Sequence, residues 1–158
     1  MPSTFSAVPY GNGKVFKTLP IHGPNWEISF KTIRSQFYDS FVNILHFSAL
    51  EDPLEWAYGH RVPAFYFNGD KLKVRTPLGD NFNANMESVV PENQQFYVNL
   101  TSQNNQVRLY IDGNLAQTAN EPTGHTFENV KLWITNPEEN GLPLWDVKYV
   151  SKIPPKYP

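Results

Sequence analysis

Gln106-Val107-Arg108-Leu109-Tyr110-Ile111-Asp112-Gly113-Asn114-Leu115 decides the fold class of this chain. Val107, Leu109 and Ile111 alternate with Arg108, Tyr110 and Asp112, the period of a strand with one face buried and one in solvent. Asp112-Gly113 then supplies the positive φ of a tight hairpin turn. A two-residue loop would set Ile111 opposite Asn114. A three-residue loop ending at Asn114 would put Ile111 and Leu115 on one face, and this register is expected because it keeps both apolar side chains in the core.

The same pattern recurs outward from this hairpin. Trp26, Ile28 and Phe30 alternate with polar neighbours and are expected to point inward. Residues 41–47 are apolar on both faces and read as a central strand. Residues 64–67 and 71–75 flank Asn68-Gly69-Asp70, a second hairpin signal. Strands are also expected at 14–19, 96–100, 115–118, 127–134 and 144–150. Helical periodicity is weak; its best stretch, 48–58, is interrupted by Pro53. Eight to twelve short strands at this spacing predict an all-β protein, an antiparallel jelly-roll sandwich of two sheets over residues 14–151. Residues 1–13 would then be an N-terminal extension and 152–158 a Pro-rich tail. The shared core is expected to hold Phe30, Leu45, Val98, Leu109, Ile111 and Val130.

Composition narrows the function. The chain of 158 residues has 13 basic and 15 acidic residues, a net charge of −2, 14 prolines, 15% aromatics and no cysteine. The charge offers no footprint for nucleic acid and no polybasic membrane patch. Without cysteine there is no disulfide, thiolate zinc site or thiol chemistry. No leader-like segment and no membrane-length apolar run is expected, so membrane insertion is not. Asn99-Leu100-Thr101 is a glycosylation triplet.

Three longer segments resemble a known family. Gly59-His60-Arg61-Val62-Pro63-Ala64-Phe65 is similar to a strand of laminin-G-like domains, in the concanavalin A-like lectin and glucanase superfamily. Phe96-Tyr97-Val98-Asn99-Leu100-Thr101 with 107–115 resembles that family's paired central strands. Phe127-Glu128-Asn129-Val130-Lys131-Leu132-Trp133-Ile134-Thr135-Asn136-Pro137 resembles a third segment. The likeness runs over about residues 15–150. It implies a jelly roll that binds glycans, proteoglycans or proteins, in some members with calcium, and it has glycoside hydrolases among its relatives. The chain departs from the family in lacking a C-terminal cysteine pair and in having Pro137-Glu138-Glu139-Asn140-Gly141 where a more aromatic loop is usual.

Site chemistry is sparser. Sugar recognition uses an aromatic plate and planar hydrogen-bonding groups. Trp56, Tyr58, His60 and Arg61 fall within six positions after a Pro-containing loop, and Asp80, Asn81, Asn83 and Asn85 lie in the expected loop 79–85. Trp56 could instead plug the core, and Arg61 could brace the loops by pairing with Asp80. Calcium is a candidate at Asp80 and Asn81, with Asp39 or Asp52 as a second carboxylate, since calcium takes six or more oxygens. Glu51-Asp52-Pro53-Leu54-Glu55 is the nearest approach to a paired-carboxylate motif, but its neighbours would point to opposite faces. His22, His46, His60 and His125 lack metal-ligand spacing, and His46 reads as structural. The expectation is a non-catalytic, lectin-like module that binds glycans or glycoproteins through the end loops of the sandwich, outside the cell. A protein-binding adhesion module, a diverged hydrolase, a cytoplasmic setting and a homo-oligomer remain alternatives.

Overall fold

The computed structural model describes residues 2–4, 14–52, 55–134 and 144–151. Twelve strands run through them: β1 Pro2–Thr4, β2 Lys14–His22, β3 Trp26–Ile33, β4 Tyr38–Ser48, β5 Ala64–Gly69, β6 Lys71–Leu78, β7 Asn81–Val89, β8 Gln95–Gln103, β9 Gln106–Ile111, β10 Asn114–Asn120, β11 Phe127–Ile134 and β12 Leu144–Ser151. They form two six-stranded antiparallel sheets. The first has the order β1-β12-β3-β8-β9-β10 and the second β2-β11-β4-β5-β6-β7. No helix occurs among the described residues. The Pro-rich tail and the 137–141 loop lie outside them.

The core is the layer between the sheets. Phe30, Leu45, Val98, Leu109 and Val130 are fully buried, and Ile111 packs against them at the margin. Phe30 of the first sheet meets Phe65 of the second edge to face, with centroids 4.9 Å apart. The edges also meet: the Glu87 backbone N–H on β7 donates to Gln117 Oε1 on β10 at 2.8 Å. That bond ties together two strand edges that would otherwise present unpaired groups.

Three expectations change. The 112–113 loop has two residues, not three: Asn114 pairs with Ile111. Asp112 and Gly113 both take positive φ, 51° and 81°, the turn whose twist suits a two-residue hairpin. Leu115 therefore lies opposite Tyr110 on the solvent face and is 54% exposed. A bulge between Leu115 and Gln117 then returns Ala119 to the core side. Second, Gly79-Asp80 is a two-residue turn and β7 starts at Asn81, so most of the expected 79–85 loop is strand. Its inward positions, Ala84 and Met86, are apolar, while asparagines fill the outward positions of an edge strand. Third, Pro2–Thr4 pairs with β12 and joins the sandwich as an edge strand. As the weak helical periodicity of 48–58 led one to expect, no helix forms among its described residues, and β4 ends at Ser48.

Candidate functional site

The outer face of the second sheet carries the candidate site. Along β4, β5 and β6, inward residues such as Leu45, Phe65 and Val74 alternate with outward ones, because strand side chains alternate faces. The outward set includes Tyr66 and Arg75, which the ladder keeps near Lys73 and Asn85. Phe41, on β4, is 43% exposed and meets Tyr66 edge to face at 5.6 Å.

Between β4 and β5 the chain leaves the sheet and returns over that face. Its neck is closed by backbone bonds: Val62 N–H to Phe47 O at 2.7 Å, Phe47 N–H to Pro63 O at 2.8 Å, and Ala49 N–H to Gly59 O at 2.9 Å. Gly59 makes the return with φ 91°, and a Cβ there would stand 3.4 Å from both Ala49 Cβ and the Phe127 ring. Only glycine meets both demands without strain. Beneath the loop, polar His46 and Ser48 are buried on a sheet face that would otherwise see water. His46 Nε2 is 2.5 Å from His60 O, and a neutral ring donates there.

The loop delivers Trp56 and Arg61 to the face. Trp56 is 65% exposed, so it is no core plug. Its ring leans on His60 (5.0 Å) and Phe82 (5.8 Å). The Arg61 guanidinium lies 5.5 Å from the Trp56 centroid and 5.4 Å from that of Tyr66. Arg61 Nη1 donates to Asn83 Oδ1 at 3.0 Å, so its brace is Asn83 and not Asp80. Arg75 stands over Phe41 at 5.4 Å. Together Phe41, Trp56, Arg61, Tyr66, Arg75 and Asn83 line an open cleft of about 250 Å³. Among the described residues no carboxylate lines it.

The sequence-nominated residues divide accordingly. Trp56, Arg61 and Asn83 share the cleft. His60 is buried behind Trp56, and burial, then the adjacent Arg61 charge, push its pKa down to about 4. It is a neutral support there. Tyr58 faces elsewhere: its hydroxyl donates to His125 Nδ1 at 2.6 Å, while His125 Nε2 donates to Gly79 O at 2.9 Å, with Glu121 Oε2 3.4 Å away. Burial, then Glu121, raises the Tyr58 pKa. This chain of contacts ties the loop to the 79–80 turn. Asp80 and Asn81 sit at that turn, outside the cleft, and Asn81 Oδ1 accepts the Asn83 N–H at 3.0 Å. Among the described residues no three His, Cys, Asp or Glu side chains gather as a metal site.

Phe41, Tyr66 and Arg75 were not nominated from sequence. The signal was present in alternation, since Tyr66 separates Phe65 from Phe67 and Arg75 follows Val74. It said outward, not together. Other depressions offer less. A polar one of about 290 Å³ at one sandwich end is lined by Asn25, Asn104, Asn105 and Glu121 among others, without an aromatic. A cavity of about 20 Å³ near His22 and Trp26 holds no more than water. Glu51, from the carboxylate cluster, pairs with Lys131 at 2.7 Å on the surface. Asn99 of the glycosylation triplet lies mid-β8 and donates Nδ2 to Glu27 at 2.7 Å.

No protein-family model matches the chain, and no curated protein does. Solved structures do. The binding domain of botulinum neurotoxin DC in complex with SialylT aligns with TM-score 0.60 at 16% identity, covering 93% of this chain and 43% of that one. The same toxin's binding domain in complex with rat synaptotagmin II aligns with TM-score 0.58 at 17%, covering 81% and 32%. Trypanosoma rangeli sialidase aligns with TM-score 0.53 at 13%, covering 80% and 20%. This chain thus spans less than half of each. At such identities the likeness is one of architecture: the chain shares with these proteins a sandwich of two antiparallel β-sheets.

Proposed function

We propose that this chain is a non-catalytic carbohydrate-binding module of the laminin-G-like type, acting outside the cell and holding a glycan on the outer face of its second sheet. The observation that carries this reading is the cleft's composition. An exposed Trp56 ring offers an apolar plate to a sugar's C–H face. Arg61, Arg75 and Asn83 offer planar donors and acceptors to its hydroxyls. The plate is set in advance, because Trp56 is buttressed by His60 and Phe82 and its loop is closed at the neck. Preorganisation lowers the ordering cost of binding. The described lining residues include no carboxylate, the group that ordinary glycosidases use as acid and nucleophile. The binding partners named in the neurotoxin structures, SialylT and a synaptotagmin, keep both a glycan and a protein in view. The aromatic plate favours the glycan.

A glycan array with and without calcium tests the reading. Binding with a change in Trp fluorescence that Trp56→Phe removes supports it. Absence of binding to every glycan in both buffers would discard it in favour of protein recognition.

A further inference from the structure

We infer that the glycan is acidic: its carboxylate or sulfate sits between Arg61 and Arg75, which act as a two-guanidinium clamp. This rests on the preceding reading of the cleft as a glycan site and names the ligand's charge.

The argument begins with what these two cations lack. The lysines of the same sheet face have acids: Lys71 and Lys73 share Glu87, at 3.2 and 3.7 Å, and Lys131 has Glu51. Hydrogen bonding from Asn85, followed by that from Lys71, holds the Glu87 carboxyl below its usual pKa. That acid is therefore ionised and already engaged. Among the described residues neither Arg61 nor Arg75 has a carboxylate within ion-pair distance. They are packed against rings instead, Arg61 between Trp56 and Tyr66 and Arg75 over Phe41. Phe41 and Tyr66 touch edge to face, so the two cations flank one aromatic pair in one cleft.

Stacking fixes a guanidinium plane while leaving its edge of N–H donors unused. Of the Arg61 donors, one Nη1 proton goes to Asn83, and Nε is buried with no acceptor. A partly desolvated cation without a counter-charge is costly, and an oxyanion accepting two parallel N–H bonds is its best partner. Neutral sugar hydroxyls would leave the charge uncompensated. Tyr66, Phe41 and the Trp56 plate supply the apolar contact for the ring that carries the anion.

The test compares lactose, sialylated lactose and 6-sulfated lactose by calorimetry on the whole chain. Acidic forms should bind about ten- to a hundredfold more tightly than lactose, the range expected for charge-assisted hydrogen bonds. The advantage should shrink in 0.5 M salt and collapse in both Arg61→Gln and Arg75→Gln. Arg75→Lys should restore only part of it, because a point charge lacks the planar fork. Lys71→Gln, outside the cleft, should leave the ratio intact, and thermal melts identify any variant that fails to fold. Carboxylate-only or sulfate-only preference would each support the clamp and name its anion. Lactose bound as tightly as its acidic forms would overturn the clamp while leaving glycan binding in place. An acidic preference that survives in both glutamine variants would place the anion elsewhere. Silence from every glycan would end both readings.

Discussion

At the scale of single residues, Trp56 and three histidines carry the sharpest expectations. Trp56→Phe should abolish most of the ligand-induced fluorescence change while shifting stability by no more than about 0.5 kcal/mol, because the ring is largely in solvent. Titration with the best array glycan, beside a thermal melt, checks both halves. His22, His46 and His60 are held neutral, chiefly by burial, with pKa values lowered to about 3, 4 and 4. In the unfolded chain they titrate near 6.5. Between that value and the folded one, the unfolded chain binds more protons, so stability is complete above about pH 6.5 and falls as pH drops. His46 and His60 are each worth roughly 3 kcal/mol over the full window and His22 roughly 5 kcal/mol. Melting temperature should therefore decline from pH 6.5 to 5, before most carboxylates titrate, and His46→Gln should flatten part of that decline. A melting temperature constant over that range would show that the rings are not held neutral.

At the scale of elements, the β9–β10 hairpin separates turn chemistry from core packing. Gly113 has open space around it but φ 81°, so Gly113→Ala meets only backbone strain, about 1–2 kcal/mol. Leu115→Ser should cost under about 0.5 kcal/mol, because Leu115 projects from the solvent face. Leu109→Ala, three residues before the turn, should cost about 2–5 kcal/mol through lost burial and a cavity. Urea denaturation of the three variants ranks them; a costly Leu115→Ser would restore the three-residue loop. The hairpin was legible in the sequence, but its register was not. Keeping Leu115 buried favoured one register, and the twist match of two positive-φ residues favoured the other. Turn geometry prevailed because a bulge one step later could recover the core face.

At the scale of the whole molecule, the site depends on elements far apart in sequence. Tyr58 and His125 lie on different loops, and their bond holds the Trp56-bearing loop toward the 79–80 turn. Tyr58→Phe keeps the ring contacts with His125 and Phe127 and removes only the hydroxyl. It should weaken glycan binding severalfold, mainly through faster dissociation from a looser loop. Surface-based kinetics on the intact chain measures this, and unchanged dissociation would show that the neck bonds alone fix the loop.

The amino-acid sequence by itself determined the sandwich. Period-2 alternation, turn residues at regular spacing and weak helical periodicity are local signals, and each constrains only its neighbours. It also marked Trp56, Arg61 and Asn83, because polar and aromatic residues crowded near turns are visible without a structure. What only the tertiary structure decided is their company. Strand order places β4, β5, β6 and β7 side by side, and a long loop folds back over them. That brings Phe41, Tyr66 and Arg75 to Trp56 and Arg61, while Tyr58, Asp80 and Asn81 fall outside. Alternation states that a side chain leaves the core; only the pairing of distant strands states what it meets there.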